Sequence, residues 1–285
     1  MNIQSLSIVV PAGECWNHCA FCVSRMHKEE YGEPILKSDL IIPLSYRDRM
    51  EFVRDEGCNS MIITGTSEPQ QNLPFIYALL KANRELRKPF YNITIQTTGT
   101  NLTPDEICRL SEAGVNTLAL SISSIDDPLN WSIIHAPEKT QTMKIVDMIR
   151  CAKRNHMNVR ACFNLTDAYK DFTPGDYFEW ATEHRVDQVT FRKIYADGNG
   201  AEAAWVHAHE FPQAAFDAIS AYVRQNGVAI ARLPFGFIKY SVHGISTVVD
   251  DNCMSKDNIE DMKYAILRPN GHLYSRWDDT GSLIF

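Results

Sequence analysis

The stretch Cys15-Trp16-Asn17-His18-Cys19-Ala20-Phe21-Cys22 directly follows an apolar run at residues 6–10. It places three thiols on one short segment in the spacing C-x3-C-x2-C, and we call residues 15–22 the cysteine loop. Thiolates are soft ligands that suit iron–sulfur clusters and zinc. Three of them on a tight loop can hold three irons of a cubane cluster and leave the fourth iron without a protein ligand. An iron with an open coordination position of this kind can bind a substrate or a cofactor.

Around the cysteine loop the sequence alternates between strand-like and helix-like stretches. Six runs have strand character: residues 6–10, 60–64, 92–97, 117–122, 158–164 and 188–193. Helical period and end signals mark residues 45–56, 73–87, 103–114, 140–155, 174–184 and 212–226. This alternation predicts an α/β fold with parallel strands joined by right-handed crossovers, as an open doubly wound sheet or as a full or partial (β/α) barrel.

The pattern changes after Gly227. Strand-like runs at residues 228–232, 237–242 and 246–249 are followed by a hairpin-like end at residues 265–267 and 272–274. We therefore predict a core at residues 1–227 and a small β-rich C-terminal extension at residues 228–285 that caps it. His243, His272, Arg276 and Trp277 are candidate substrate contacts in this cap.

Composition excludes several classes of protein. The 285 residues are 45% hydrophobic and contain no long apolar run that could span a bilayer. The net charge of -7, from 28 basic and 35 acidic side chains, argues against a nucleic-acid partner. The first apolar run is too short for a signal peptide, so we expect a cytoplasmic protein, whose clustered cysteines serve as metal ligands or catalysts more often than as disulfides.

The cysteine loop resembles the signature of the radical S-adenosylmethionine (SAM) superfamily, C-x3-C-x-aromatic-C after the first strand, with Phe21 as the aromatic residue. The resemblance implies that Cys15, Cys19 and Cys22 bind one [4Fe-4S] cluster. It also implies that the amine and carboxylate of SAM chelate the unique iron and that SAM is cleaved reductively to a 5′-deoxyadenosyl radical. The implied fold is a partial (β/α)6 TIM-like barrel with its site at the carboxyl ends of the strands, in agreement with the six runs.

The ends of later strands extend the resemblance. Gly65-Thr66-Ser67-Glu68-Pro69 is similar to the GGEP-type motif of the family. That likeness implies that Gly65 and Thr66 approach SAM and that Glu68 helps to hold its ammonium group. The third and fourth strand ends resemble the molybdopterin-biosynthesis-like branch, which nominates Thr98 and Ser121 as contacts of the methionine moiety.

The fifth and sixth strands supply further candidates. Arg160, Cys162 and Asn164 share one face of a strand because side chains alternate. An arginine inside a barrel needs an anion, which could be the SAM carboxylate, a substrate acid or an acid of the barrel itself, while Asn164 could contact ribose. The resemblance puts Phe191 near the adenine pocket, with core packing as the alternative, and Arg192 and Tyr195 could face substrate.

The remaining cysteines show no close pairing, and we interpret them as buried thiols: Cys58, Cys108, Cys151, Cys162 and Cys253. One cluster without an auxiliary cluster is therefore expected. By analogy with relatives of similar size we predict a small-molecule substrate, such as a nucleoside or a deazaguanine-like heterocycle, a lyase-type cleavage or a rearrangement, and an electron donor such as flavodoxin or ferredoxin.

Two alternatives stay open. Within the superfamily the chain could modify a peptide. From another class, it could be an electron-transfer iron–sulfur protein or a zinc-stapled scaffold, and either would need a fourth protein ligand, for which His18 is the nearest candidate. Arg25 and His27 adjoin the cysteine loop and are weaker candidates for a role there.

Overall fold

The structure is a computed structural model that describes residues 2–27, 44–135, 143–233, 237–251, 261–277 and 279–285. Its strands are β1 Asn2–Val9, β2 Ser60–Thr64, β3 Asn92–Thr97, β4 Thr117–Ile122, β5 Asn158–Leu165, β6 Gln188–Lys193, β7 Gly227–Arg232, β8 Ile238–Val242, β9 Ile245–Asp250, β10 Asp261–Leu267 and β11 Leu273–Tyr274. Its helices are α1 Val23–Met26, α2 Leu44–Asp55, α3 Leu73–Arg84, α4 Pro104–Glu112, α5 Asp127–Ile134, α6 Ile145–Arg154, α7 Pro174–Glu183, α8 Ala201–Ala208 and α9 Gln213–Asn226.

The strands form one sheet in the order β11-β10-β1-β2-β3-β4-β5-β6-β9-β8-β7. From β10 to β9 every neighbouring pair is parallel, so the carboxyl ends of these strands meet at one edge. The helices of the crossovers supply the apolar layer that covers one face of a parallel sheet. The α/β class and the barrel-like parallel arrangement predicted from the sequence are confirmed.

The two faces of the sheet differ in polarity because the side chains alternate along each strand. On β1, Leu6 and Ile8 are fully buried in the apolar core, whereas Ser5 and Ser7 face the interior of the barrel. The same division places Phe163 of β5 and Phe191 of β6 in an aromatic layer against Tyr177 of α7. The helix side is thus a packed core, and the inner side borders a cavity to which many polar side chains contribute.

The strands of the C-terminal region join both edges of the parallel sheet. β10 pairs with β1, and β9 pairs with β6. The side chains of Lys263 on β10 and Asp250 on β9 meet in an ion pair of 2.7 Å, with only 5% of each side chain exposed. This pair links the two edges across the barrel interior. The predicted β-rich C-terminal region is therefore integrated into the sheet, while the division at residues 227 and 228 remains a prediction.

Most predicted elements lie within a few residues of the observed ones. β1 begins at Asn2 and not at residue 6, because its first half carries polar residues that face the cavity. The stretch predicted at residues 140–155 is helical at Ile145–Arg154, and residues 140–142 lie outside the described part of the chain. Three helices were not predicted: α1, α5 and α8. In the described part of the chain no helix has the length and apolar character needed to cross a bilayer.

Candidate functional site

The inner face of the sheet encloses a cavity of about 930 Å³. Polar side chains line it along the strands, from Asn92 and Gln188 at the amino ends to Thr98 and Asn164 at the carboxyl ends. Cys19, Phe21 and Cys22 of the cysteine loop border the cavity as well. The volume lies in the range of pockets that bury a small molecule.

Backbone hydrogen bonds to α5 hold the cysteine loop in place. The amide of His18 donates to the carbonyl of Ile134 over 3.1 Å, and the amide of Ala20 donates to Ile133 over 3.2 Å. Cys22 then forms the N-cap of α1. The loop is therefore anchored by main-chain contacts, which leave its thiols available for ligands.

Burial dominates the electrostatics of the three thiols. It raises the pKa of Cys15 to about 11, well above the ordinary value of 9.0, and it raises the pKa of Cys19 and of Cys22 in the same direction. Cys15 and Cys22 add to the rise at Cys19, and Glu68 adds to the rise at Cys15 and Cys19. These mutual effects show that the charges of the three thiols and of the Glu68 carboxylate act on one another.

The donor set fits a metal cluster by its chemistry, because it consists of three soft sulfur atoms beside a polar cavity. Among the described residues no three His, Cys, Asp or Glu side chains are arranged as a ready metal site. His18, the candidate fourth ligand of a closed zinc or electron-transfer site, is exposed.

Glu68 is the centre of a buried hydrogen-bond network under the cysteine loop, with 6% of its surface exposed. Its carboxylate accepts hydrogen bonds from the Thr98 hydroxyl at 2.8 Å, from Gln70 Nε2 at 2.9 Å and from Asn17 Nδ2 at 3.2 Å. The Thr97 hydroxyl and the Thr98 amide also donate to it. Since Asn17 belongs to the cysteine loop, Glu68 ties that loop to the ends of β2 and β3.

Eight of the twelve predicted site residues line the cavity: Cys19, Phe21, Cys22, Gly65, Thr98, Ser121, Arg160 and Asn164. At Gly65 an added Cβ would lie 2.8 Å from the carbonyl oxygen of Ser67, so the close turn there requires glycine. Cys15 and Glu68 are not among the lining residues, but their charges act on Cys19, which is. Thr66 is not among the lining residues.

The structure decides where the Phe191 side chain packs, which the sequence left open. Its side chain is fully buried and stacks on Phe163 with 5.8 Å between ring centroids, on the helix side of the sheet. Strand alternation is the reason, because the neighbours Thr190 and Arg192 take the inner positions on β6. The alternative of core packing therefore describes the Phe191 side chain.

Sequence reasoning missed the residues that organise the loop. Asn17 contacts Glu68, and its amide groups also bond to the Thr98 and Thr100 hydroxyls, each at 2.9 Å. The unpredicted helix α8 reaches the loop as well: Trp205 lies 5.8 Å from Phe21 between ring centroids. The sequence signal for Asn17 was its position within the C-x3-C-x2-C segment. The sequence of α8 gave no signal that it would contact this loop.

The weaker candidates are divided. Arg25 pairs with Glu202 of α8 at 2.6 Å, and the ring of His27 stacks on Tyr195 at 6.2 Å between centroids. Arg192, Tyr195 and Trp277 line the cavity. His243 instead packs near Tyr222, and His272 is exposed.

Cys253 lies outside the described residues, and the cavity-facing position of Cys162 beside Gln96 agrees with the predicted face of β5.

Comparison with known proteins gives a family match over the first part of the chain. A sequence model described as the radical SAM superfamily matches residues 9–179, which begin at the last residue of β1 and contain the cysteine loop and β2 to β5. No curated protein matches the chain.

Several solved structures share the fold. SuiB of Streptococcus suis bound to S-adenosylmethionine has a TM-score of 0.60 at 14% identity, over 95% of this chain and 60% of that chain. The anSMEcpe protein with bound AdoMet has a TM-score of 0.54 at 12% identity, over 96% and 74% of the two chains. HydG, a maturase of the [FeFe]-hydrogenase, has a TM-score of 0.57 at 12% identity, over 78% and 49%. The chain thus spans about 60% of the length of SuiB.

Proposed function

The chain belongs to the radical SAM superfamily, and we propose that it is an enzyme that abstracts hydrogen from a small molecule held in the barrel cavity. The family uses a [4Fe-4S] cluster and SAM, which together supply a 5′-deoxyadenosyl radical by reductive cleavage of SAM. The observation that carries the proposal is the common location of the cysteine thiols and the polar strand ends around one cavity.

We assign the cluster to the cysteine loop. Cys15, Cys19 and Cys22 would each ligate one iron, since they are the thiols that lie together beside the cavity. Glu68 and Asn17 hold the loop against the ends of β2 and β3, and in this proposal the Glu68 carboxylate would receive the SAM ammonium. The electron donor would be a small redox protein such as flavodoxin or ferredoxin.

The SAM contacts proposed at the strand ends all lie towards the carboxyl ends of their strands. Thr98 follows β3, Ser121 is near the end of β4, and Asn164 is near the end of β5. Their hydroxyl and amide groups can bind the methionine and ribose parts of SAM without adding charge. Gly65 lets the backbone after β2 approach closely. The sheet and Trp277 line the cavity, and bound SAM and substrate would displace water from the reacting centre.

A small molecule is favoured as the substrate because the cavity lies inside the sheet and is lined by polar groups along the strands. The proposed substrate class is a nucleoside or a deazaguanine-like heterocycle. The proposed reaction is a lyase-type cleavage or a rearrangement. Peptide modification is the second candidate, since a structure of SuiB bound to its precursor peptide SuiA shares the fold, with a TM-score of 0.57 at 13% identity.

Electron paramagnetic resonance tests this assignment. We expect reconstituted, dithionite-reduced protein to show a cluster signal that changes on addition of SAM. Ser121→Ala should weaken the SAM-dependent change but keep the cluster signal, because it removes a hydroxyl at the proposed SAM site that takes no part in the Glu68 network. A cluster signal that SAM does not alter in the wild-type protein would favour an electron-transfer function instead.

A further inference from the structure

The charged side chains that line the cavity are unevenly distributed. Among the described residues the cationic ones are Arg160, Arg192, Lys239 and Lys263, and the one acidic residue is Asp250. The Asp250 carboxylate forms an ion pair with Lys263 Nζ at 2.7 Å. The lining is therefore cationic within a chain whose net charge is -7.

Two of these cations, Arg160 and Lys239, form no ion pair with a carboxylate of the described residues. The Nε atom of Arg160 donates to Gln188 Oε1 over 2.9 Å, which leaves the forked end of its guanidinium for another partner. Lys239, on β8, lies close enough to Arg160 for the arginine charge to lower the pKa of the lysine amine, after burial as the larger cause. Two neighbouring cations in a partly desolvated cavity repel each other unless an anion lies between them.

The position of this pair separates it from the proposed SAM site. Arg160 is in register with Ala119 of β4 and Gln188 of β6, and Asn164 lies four residues further along β5. Four residues of strand span about 13 Å. If SAM chelates the cluster beside the cysteine loop, its carboxylate is at the carboxyl end of the strands. The Arg160 backbone lies towards their amino ends.

We propose that Arg160 and Lys239 form a recognition site for an oxyanion, a carboxylate or a phosphate, carried by the substrate. The proposal rests on the function proposed above and adds that the substrate is an acid. Arginine binds such groups through two parallel hydrogen bonds, and lysine adds a point charge. The anion would fix one end of the substrate deep in the barrel and leave its other end near the cysteine loop.

Anion binding to metal-free protein tests the site without radical chemistry. We would titrate inorganic phosphate and glutarate separately at constant ionic strength and follow the thermal unfolding temperature. The variants are Arg160→Gln, Lys239→Gln, the charge-conserving Lys239→Arg, and Lys170→Gln as a control at an exposed lysine. Circular dichroism would verify that each variant is folded.

We expect saturable stabilisation of the wild-type protein by at least one anion, and the preferred one identifies the group as a phosphate or a carboxylate. Each glutamine variant at the site should bind it about tenfold or more weakly, since each removes a charge-assisted contact. Lys239→Arg and Lys170→Gln should bind as the wild type does. No saturable effect of either anion, or equal binding by wild type and Arg160→Gln, would overturn the proposal.

A second arm separates this site from that of SAM. With the cluster reconstituted, SAM should leave the affinity for the anion unchanged. Competition between the two would assign Arg160 and Lys239 to the SAM carboxylate and overturn the proposal of an acidic substrate. Failure of SAM cleavage with intact anion binding would instead refute the proposed function alone.

Discussion

Glu68→Gln should destabilise the metal-free protein strongly, although the substitution conserves size. The buried carboxylate accepts hydrogen bonds from the side chains of Asn17, Gln70, Thr97 and Thr98 and from one backbone amide. Glutamine is neutral, and its amide nitrogen would have to face groups that also donate. The cysteine loop would lose its attachment to β2 and β3 in the same step.

The magnitude follows from the number and kind of these hydrogen bonds. A hydrogen bond to a charged group contributes about 1.5–3 kcal/mol, against roughly 0.5–1.5 kcal/mol for a neutral pair. Loss of the charge therefore costs about 1 kcal/mol at each of the better bonds, and an unsatisfied buried donor adds about 1–3 kcal/mol. Because neighbouring contacts are not additive, we expect a total on the order of 3 kcal/mol.

Urea unfolding of the metal-free, reduced protein measures this loss. The matched control is Glu106→Gln, since Glu106 is a half-buried carboxylate that closes the capping box of α4 with Thr103. Its replacement should cost about 1 kcal/mol or less. If Glu68→Gln lowers the free energy of unfolding no more than Glu106→Gln, the reasoning that Glu68 holds the cysteine loop is refuted.

Three further changes test other parts of the structure. Trp205→Ala removes the ring packed on Phe21, so alkylation of the cysteine-loop thiols in metal-free protein should become about two- to tenfold faster, whereas Trp205→Phe should react nearly as the wild type does. Lys263→Met leaves the buried Asp250 carboxylate without this partner and should lower the free energy of unfolding by about 3–5 kcal/mol. Adding Asp250→Asn should restore part of the lost stability. An unchanged free energy of unfolding in Lys263→Met would contradict the role of the pair. Burial raises the pKa of Tyr46 above its ordinary value of 10.0. The unfolded chain therefore releases the phenol proton more readily than the folded one, and the free energy of unfolding should fall as the pH rises above 10. In urea unfolding, Tyr46→Phe should lose less stability over the same pH range.

The barrel was predictable because its signals are local. Strands β2, β3, β4 and β6 coincide with the predicted runs, since each is a short apolar stretch bounded by turn residues or caps. The capping box at Thr103 and Glu106 likewise fixed the start of α4. These features depend on near neighbours in the sequence and therefore need no knowledge of the tertiary fold.

The unpredicted features depend on distant parts of the chain. Helix α8 has little difference in polarity between its faces and is held by contacts of Glu202 with Arg25 of α1 and of Trp205 with Phe21 of the cysteine loop. Lys239 reaches the cavity because β8 pairs with β9, and the hydrophobic periodicity of the sequence does not specify that pairing. The sequence did not decide between the core and the adenine pocket for the Phe191 side chain, because an apolar residue suits either face of a buried strand.

Formation of 5′-deoxyadenosine tests the central claim most directly. Wild-type protein reconstituted anaerobically with iron and sulfide would be given dithionite and SAM, and the product followed by chromatography. We expect product from the wild type and from the control Cys108→Ser, which changes a thiol on α4 away from the site, and none from Cys19→Ser. Product formation by Cys19→Ser at the wild-type rate, with a full cluster content, would contradict the assignment of the cysteine loop.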